Sequence, residues 1–559
     1  MKITLLITTF NSTSQLAYTY LKERGYSVDV VYAINDAQMI REVEAFAPEL
    51  ILCPFLKKFI PQEIYNTYPT FVLHPGIRGD KGAYSLDNAL REEQKEWGVV
   101  YLRANDAFDG GEIFAEVGFA MRGTYKASLY RNEVNVASLE ALKLLLQNLQ
   151  NPSFCPIPQL PTPMHKKLTQ QDRAIDWHND TTKEILKKIA ISDSEPGVLD
   201  EILGVKCYLY GGWEEQKLRG STPKEIVAKR DGAICLATKD GAVWVSHLKE
   251  FGRFKLPATY VLKERLAGVK EDRLPLVFER SYKTFYEISC DIKEEVAYLH
   301  FNFHNGAFSA TQCMKLKYAF EYIKESVKVV VLMGGADFFS NGIHLNILED
   351  SKKNGEDGWS SINAMNDLVK SILFAEDVIT VASLEKNAGA GGVFLALACD
   401  YVVMSTRAVL NPHYKTLGLS GSEYHSYTLP KRVGEQKAQE ILGNCLPLGA
   451  KEAKELGLVD EVFEVEEYAN SLQSYVQKLL QDEESYDEFL WDKEEFLEQN
   501  ATLIEQKREQ EISVMYPEFW EETSEFHTLR YEFVYKVCPV MTPKRLKYEI
   551  EVKDILKLL

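Results

Sequence analysis

The sequence predicts an α/β multidomain protein: a parallel-sheet domain, a small β-rich (OB-like) domain, and a second α/β domain with a helical C-terminal region. Three observations predict it. Short apolar runs alternate with helix-like stretches over residues 1–150, and a proline cluster at 151–164 then interrupts both periodicities. β-like runs fill 165–280, and strand and helix alternation returns over 281–462 before an acidic, helix-rich end at 463–559.

In the first part the apolar runs are 3–7, 28–32, 50–53, 70–73 and 99–102, with a helical stretch such as 15–24 between them. This alternation argues for a parallel sheet covered by helices, with ligands at the carboxyl ends of its strands. Pro152, Pro156, Pro158, Pro161 and Pro163 cannot continue a helix or a central strand, so 151–164 reads as a linker. In 165–280 one helix is expected at 182–190. Lys239-Asp240-Gly241 between two apolar runs signals a hairpin. Further on, 329–332 and 378–381 read as buried strands, and 392–398 as a helix opening after a glycine-rich turn. The acidic runs Asp482-Glu483-Glu484 and Glu521-Glu522 read as solvated faces.

The 559 residues suggest three or four domains at roughly 150 residues each, and 45 % apolar with 26 % charged residues is ordinary for packed globular domains. With 82 acidic against 64 basic residues the net charge is −18, so no nucleic acid and no anionic membrane surface is expected as a partner. Nine scattered cysteines without a C-x-x-C pair suit a reducing, cytoplasmic setting better than disulfides or a metal site. The apolar start at 3–7 is too short for a signal sequence, and no apolar run approaches the roughly 20 residues that span a bilayer.

His74-Pro75-Gly76 directly follows a predicted strand, and Asp109-Gly110-Gly111 comes shortly after another. The pair resembles the formyltransferases that use 10-formyltetrahydrofolate, and the segment Arg173 to Trp177 with Pro196-Gly197 extends the resemblance through the β-rich part. It implies His74 and Asp109 as catalytic residues, since formyl transfer needs an oxyanion donor and a carboxylate that orients a histidine or accepts a proton. Val72 stands where that family usually carries an asparagine donor; either the chemistry is altered or another group, a backbone N–H being a candidate, replaces it.

A second resemblance lies after the middle. The segment from Val330 to Ile343 and the glycine-rich turn Asn387 to Gly392 resemble the two acyl-CoA-binding segments of the crotonase (enoyl-CoA hydratase) superfamily. The resemblance implies an oxyanion hole from the backbone N–H groups of Ile343 and Gly391, which suits a helix N-terminus. The hydratase glutamates fall at Phe394 and near His413, so addition of water to an enoyl thioester is not expected. Glu423 and Tyr424, in Gly421 to Tyr427, are the candidate acid/base pair, although Tyr424 and Tyr427 at i, i+3 can equally be core aromatics.

The fusion of the two halves, with G-S-E-Y and L-P-K-R-V-G motifs, resembles a family of nickel–iron hydrogenase maturation factors along essentially the whole chain. That resemblance implies a bifunctional enzyme making the carbon monoxide ligand: formyl transfer from 10-formyltetrahydrofolate to coenzyme A, then decarbonylation of formyl-CoA. It also implies hydrogenase maturation scaffold proteins as partners beside the small-molecule substrates. An acidic chain must meet the coenzyme A phosphates with local donors, for which Arg131, Ser194, Lys431, Arg432 and Arg545 are candidates. Two other readings stand beside it: a formyltransferase with a structural crotonase half, and a non-catalytic delivery module for coenzyme A or folate.

Overall fold

The computed structural model describes residues 1–276 and 281–548. It divides into two compact units, Met1–Asp172 with residues 538–548, and Arg173–Val537.

The first unit is built on a six-stranded sheet in the order β2-β1-β3-β4-β5-β6, formed by β1 (Lys2–Ile7), β2 (Ser27–Tyr32), β3 (Leu50–Cys53), β4 (Thr70–His74), β5 (Glu96–Arg103) and β6 (Ile113–Ala120). The first four strands are parallel, and their apolar side chains are buried because helices cover the sheet. Helix Ser12–Glu23 starts where the Asn11 side chain accepts the Ser14 N–H at 3.1 Å. β5 and β6 depart from the expected parallel sheet and run antiparallel. The interval 104–112 is too short for a parallel crossover, so β6 must turn straight back along β5.

The linker at 151–164 is part of this unit rather than a free connection: Ile157 exchanges both backbone hydrogen bonds with Ile113, at 2.8 and 2.9 Å. Residues 538–548, expected with the helical extension, also return to it. Asp29 is 3 % exposed on β2 and needs partners. Lys547 Nζ lies 2.9 Å from one carboxylate oxygen and the Tyr548 N–H donates to the other at 2.8 Å.

The second unit starts with an antiparallel sheet, order β7-β8-β11-β10-β9 with β12 on β11: β7 (Val198–Ile202), β8 (Val205–Glu215), β9 (Ile226–Arg230), β10 (Ala233–Ala237), β11 (Ala242–Glu250) and β12 (Lys255–Pro257). The expected hairpin joins β10 to β11. Helix Thr182–Ser192 opens on a capping box of Thr181 and Glu184. Thr284 donates to Glu215 at 2.6 Å, as Trp244 does at 2.7 Å, so the chain leaves this sheet a few residues later than 280.

A second six-stranded sheet follows, β13 (Ile288–Lys293), β14 (Val296–Phe301), β15 (Val329–Gly334), β16 (Ile379–Leu384), β18 (Tyr401–Ser405) and β20 (Glu461–Phe463), parallel except for β13. The short pair β17 (Ala388–Gly389) and β19 (Leu410–Asn411) sits beside it. Helices Tyr468–Leu479, Glu483–Trp520 and Glu525–Tyr535 follow, the longest running along helix Asn354–Leu373. No helix among the described residues is long and apolar enough to cross a membrane.

Candidate active sites

β4 delivers His74 to the carboxyl edge of the first sheet, where its ring is 4 % exposed. Nε2 lies 2.6 Å from Asp80 Oδ2 and Nδ1 lies 3.4 Å from Asp109 Oδ2. Asp109 takes a left-handed conformation (φ 48°) in the β5–β6 turn and accepts the Gly82 N–H at 2.9 Å. Gly111 permits this turn, since a Cβ there would lie 1.8 Å from the Arg103 carbonyl oxygen. Asp80 also receives His165 Nε2 at 2.7 Å on its other oxygen. Burial works to raise the Asp80 carboxyl, but the hydrogen bond and charge of His74, then Ser85 and His165, hold it below its ordinary value. An imidazole clamped between two carboxylates in a buried pocket can take a proton from one group and return it to another.

The second site forms around helix Gly391–Leu397. The backbone N–H groups of Ile343 and Gly391 make no hydrogen bond among the described residues, and both residues line a cavity of about 40 Å³. Ile343, Leu345, Ile362, Leu417, Leu419 and Met515 make its apolar wall; Glu423 and Tyr414 enter the same wall. Glu423 is 1 % exposed and accepts the Tyr414 hydroxyl at 2.7 Å. Burial pushes the Glu423 carboxyl up from its ordinary value, although the Tyr414 hydrogen bond opposes this. Burial and the neighbouring Glu423 push the Tyr414 phenol well above its ordinary value, so it stays a proton donor at neutral pH.

Both Glu423 (φ 61°) and Tyr424 (φ 57°) are left-handed, a strained pair of residues that needs outside support. Asn366 accepts the Glu423 N–H at 2.7 Å. Glu511, from helix Glu483–Trp520, accepts the N–H groups of Tyr424 and Ser426 at 3.0 and 2.7 Å. His425 Nδ1 lies 3.1 Å from Glu511; burial opposes its charge, yet Glu511 holds it above its ordinary value. Phe394 stacks on Tyr414 with ring centroids 5.3 Å apart.

Residues 31–143 match the formyl transferase family, 167–265 its C-terminal domain, and 291–537 the enoyl-CoA hydratase/isomerase family. Hydrogenase maturation factor HoxX of Bradyrhizobium diazoefficiens is 35 % identical over 554 residues, covering 97 % of this chain and 96 % of that protein. The chain belongs to the HoxX/HypX family of hydrogenase maturation factors. The crystal structure of HypX from Aquifex aeolicus in complex with tetrahydrofolic acid superposes with a TM-score of 0.94 at 39 % identity over 99 % of both chains. A doubly substituted variant of that protein gives 0.95 at the same identity and coverage. A hydrogenase maturation factor of this family thus joins a formyltransferase half to a crotonase-like half.

Within this HoxX/HypX-family protein, the structure brings His74 and Asp109 together and sets Glu423 against Gly391, where a Cβ would lie 2.8 Å from the carboxyl. It does not pair Glu423 with Tyr424. The Tyr424 hydroxyl points to Glu505 at 3.4 Å, because the left-handed turn sends adjacent side chains in different directions; Tyr414 is the phenol on Glu423. Lys431 and Arg432 already have partners. They sit two turns down helix His425–Val433, where Lys431 lies over the Phe496 ring at 4.2 Å and Arg432 pairs with Asp460 at 3.1 Å, so a phosphate would have to displace those contacts. Arg131 lies on the π-helical turn Tyr130–Val134 and Arg545 acts on Tyr32, both in the first unit, while Ser194 is exposed with φ 68° in the second. Val72 packs against the apolar cluster around Ile51 and Cys53, and supplies no donor. Asp80, His165, Tyr414 and Glu511 were not identified from the sequence. Asp80 stood in the H-P-G-I-R-G-D motif; the other three carry no local signature.

Proposed function

We propose that the protein makes carbon monoxide for hydrogenase maturation, moving a formyl group from 10-formyltetrahydrofolate to the thiol of coenzyme A at the first site and releasing carbon monoxide from formyl-CoA at the second. The observation that carries this reading is the Glu423–Tyr414 pair in a mostly apolar cavity beside the backbone N–H groups of Ile343 and Gly391, which make no hydrogen bond among the described residues. The cavity is small, about 40 Å³, which suits a one-carbon acyl group beside the oxyanion hole.

In the first step His74 takes the thiol proton and returns it to the folate nitrogen as the C–N bond breaks and the C–S bond forms. Asp80 and Asp109 hold the ring while it does so. At the second site the N–H groups of Ile343 and Gly391 polarise the formyl carbonyl. Glu423 removes the formyl proton, the C–H pair stays on carbon as the lone pair of carbon monoxide, and the C–S pair leaves with sulfur. The proton ends on the thiolate, through Glu423 or the Tyr414 hydroxyl, so no external oxidant or reductant is consumed. The complex of Aquifex HypX with tetrahydrofolic acid supports folate as the one-carbon carrier here too.

The test mixes purified protein with 10-formyltetrahydrofolate, with and without coenzyme A, and follows carbon monoxide by the spectral shift of haemoglobin. Release that requires both compounds is expected; tetrahydrofolate without carbon monoxide would leave only the formyl transfer half. Two variants sharpen the assignment. Tyr414→Phe is expected to lower decarbonylation of supplied formyl-CoA about 10²-fold or more, whereas Tyr424→Phe stays within a few-fold of the parent. Gly391→Ala is expected to lower it by a similar 10²-fold or more, because the new methyl meets the Glu423 carboxyl and narrows the cavity.

A further inference from the structure

Asp80 is the only carboxylate of the first site with an imidazole on each oxygen: His74 on Oδ2 at 2.6 Å and His165 on Oδ1 at 2.7 Å. The Asp80 side chain is 2 % exposed, while His165 is 32 % exposed. His165 directly follows the proline-rich segment, between the stretches that match the two formyl transferase domains. This segment is fastened to the loop that carries Asp80. The Gly79 N–H donates to Gln159 Oε1 at 2.7 Å, Arg78 Nε donates to the Pro158 carbonyl at 3.0 Å, and a Cβ on Gly82 would meet Met164 at 2.7 Å.

A carboxylate with one partner can rotate about its Cβ–Cγ bond and offer either oxygen. A second donor on the opposite oxygen fixes its plane. With Asp80 so fixed, His74 gives its Nε2–H to Oδ2, and Nδ1 remains beside Asp109 as the atom that exchanges a proton. We infer that His165 is a positioning residue of the first site, acting through Asp80 to set the tautomer and orientation of His74. The inference rests on the formyl-transfer reading above.

The groups facing Asp80 are His74 with Asp109 behind it, His165, Ser85, and Tyr130, which also feels Asp87; Arg78 is turned away to the Pro158 carbonyl. Removing His165 takes a hydrogen-bonding partner, and with it an influence that holds the carboxyl down, from buried Asp80. The Asp80 carboxyl then titrates higher, and the acid limb of formyl transfer moves to higher pH.

The experiment measures tetrahydrofolate formation from 10-formyltetrahydrofolate and coenzyme A against pH, using the full chain with His165→Ala and His165→Arg. His165→Ala is expected to be about 10–100-fold slower, the range for groups that orient a metal-bound histidine, with its acid limb displaced upward. His165→Arg supplies a donor to the same Asp80 oxygen and should restore rate and limb. Decarbonylation of supplied formyl-CoA should be unchanged in both. A His165→Ala protein with the parent's rate and profile overturns the inference, as does a loss that is equal at every pH and accompanied by lost decarbonylation. Failure of His165→Arg to restore activity also overturns it. A parent protein that forms no tetrahydrofolate overturns the formyl-transfer reading itself, and this inference with it.

Discussion

Glu423→Gln is expected to lower carbon monoxide release from formyl-CoA by about 10²–10⁴-fold, the span of a lost general base, while tetrahydrofolate formation continues. Glutamine keeps the size of the side chain and can still accept from Tyr414, so the loss reports the missing proton acceptor rather than a collapsed cavity. The parent's pH profile carries the same information. Burial raises the Glu423 carboxyl, so the acid limb of decarbonylation should lie above pH 4.5, where an ordinary glutamate titrates. No alkaline limb from Tyr414 is expected near neutral pH, because that phenol is pushed upward. Tyr414→Phe removes the hydrogen bond that favours the Glu423 carboxylate, which should carry the acid limb higher still. A stability effect accompanies these. A folded-state value above the unfolded one stabilises the fold at low pH, and that contribution is lost as pH rises through the folded value. Glu423→Gln should therefore raise Tm more at pH 8 than at pH 5, a gain in stability alongside the loss of activity.

The second large effect is His74→Ala. Tetrahydrofolate formation is expected to fall about 10²–10⁴-fold, and carbon monoxide release from 10-formyltetrahydrofolate should fall with it. Supplying formyl-CoA directly should restore carbon monoxide to the parent rate. Selective bypass of this kind is the result that distinguishes two sequential sites from one. If formyl-CoA does not bypass the variant, the two halves are not separable steps and the relay fails.

Much of the fold was legible because its determinants are local. The apolar runs at 3–7, 28–32, 50–53 and 329–332 became buried strands, and 182–190 became a helix with its own capping box. The order of β5 and β6 was less legible: nothing in an apolar run states its direction, and only the brief interval 104–112 argued for a turn back. The return of residues 538–548 to β2 had no local signal. It answers the need of buried Asp29 for a partner more than 500 residues away in sequence.

The sequence by itself determined the two halves and their order, and it placed the candidate residues His74, Asp109, Ile343, Gly391 and Glu423 in contiguous motifs. Tertiary structure alone decided the partners of those residues. It placed Tyr414 rather than Tyr424 on Glu423, bound Arg432 to Asp460, and brought His165 across to Asp80. A motif records which side chains a turn must carry. Which neighbour each one meets depends on the backbone angles of that turn and on segments packed against it from elsewhere in the chain, as the left-handed Glu423 and Tyr424 and their Glu511 anchor show.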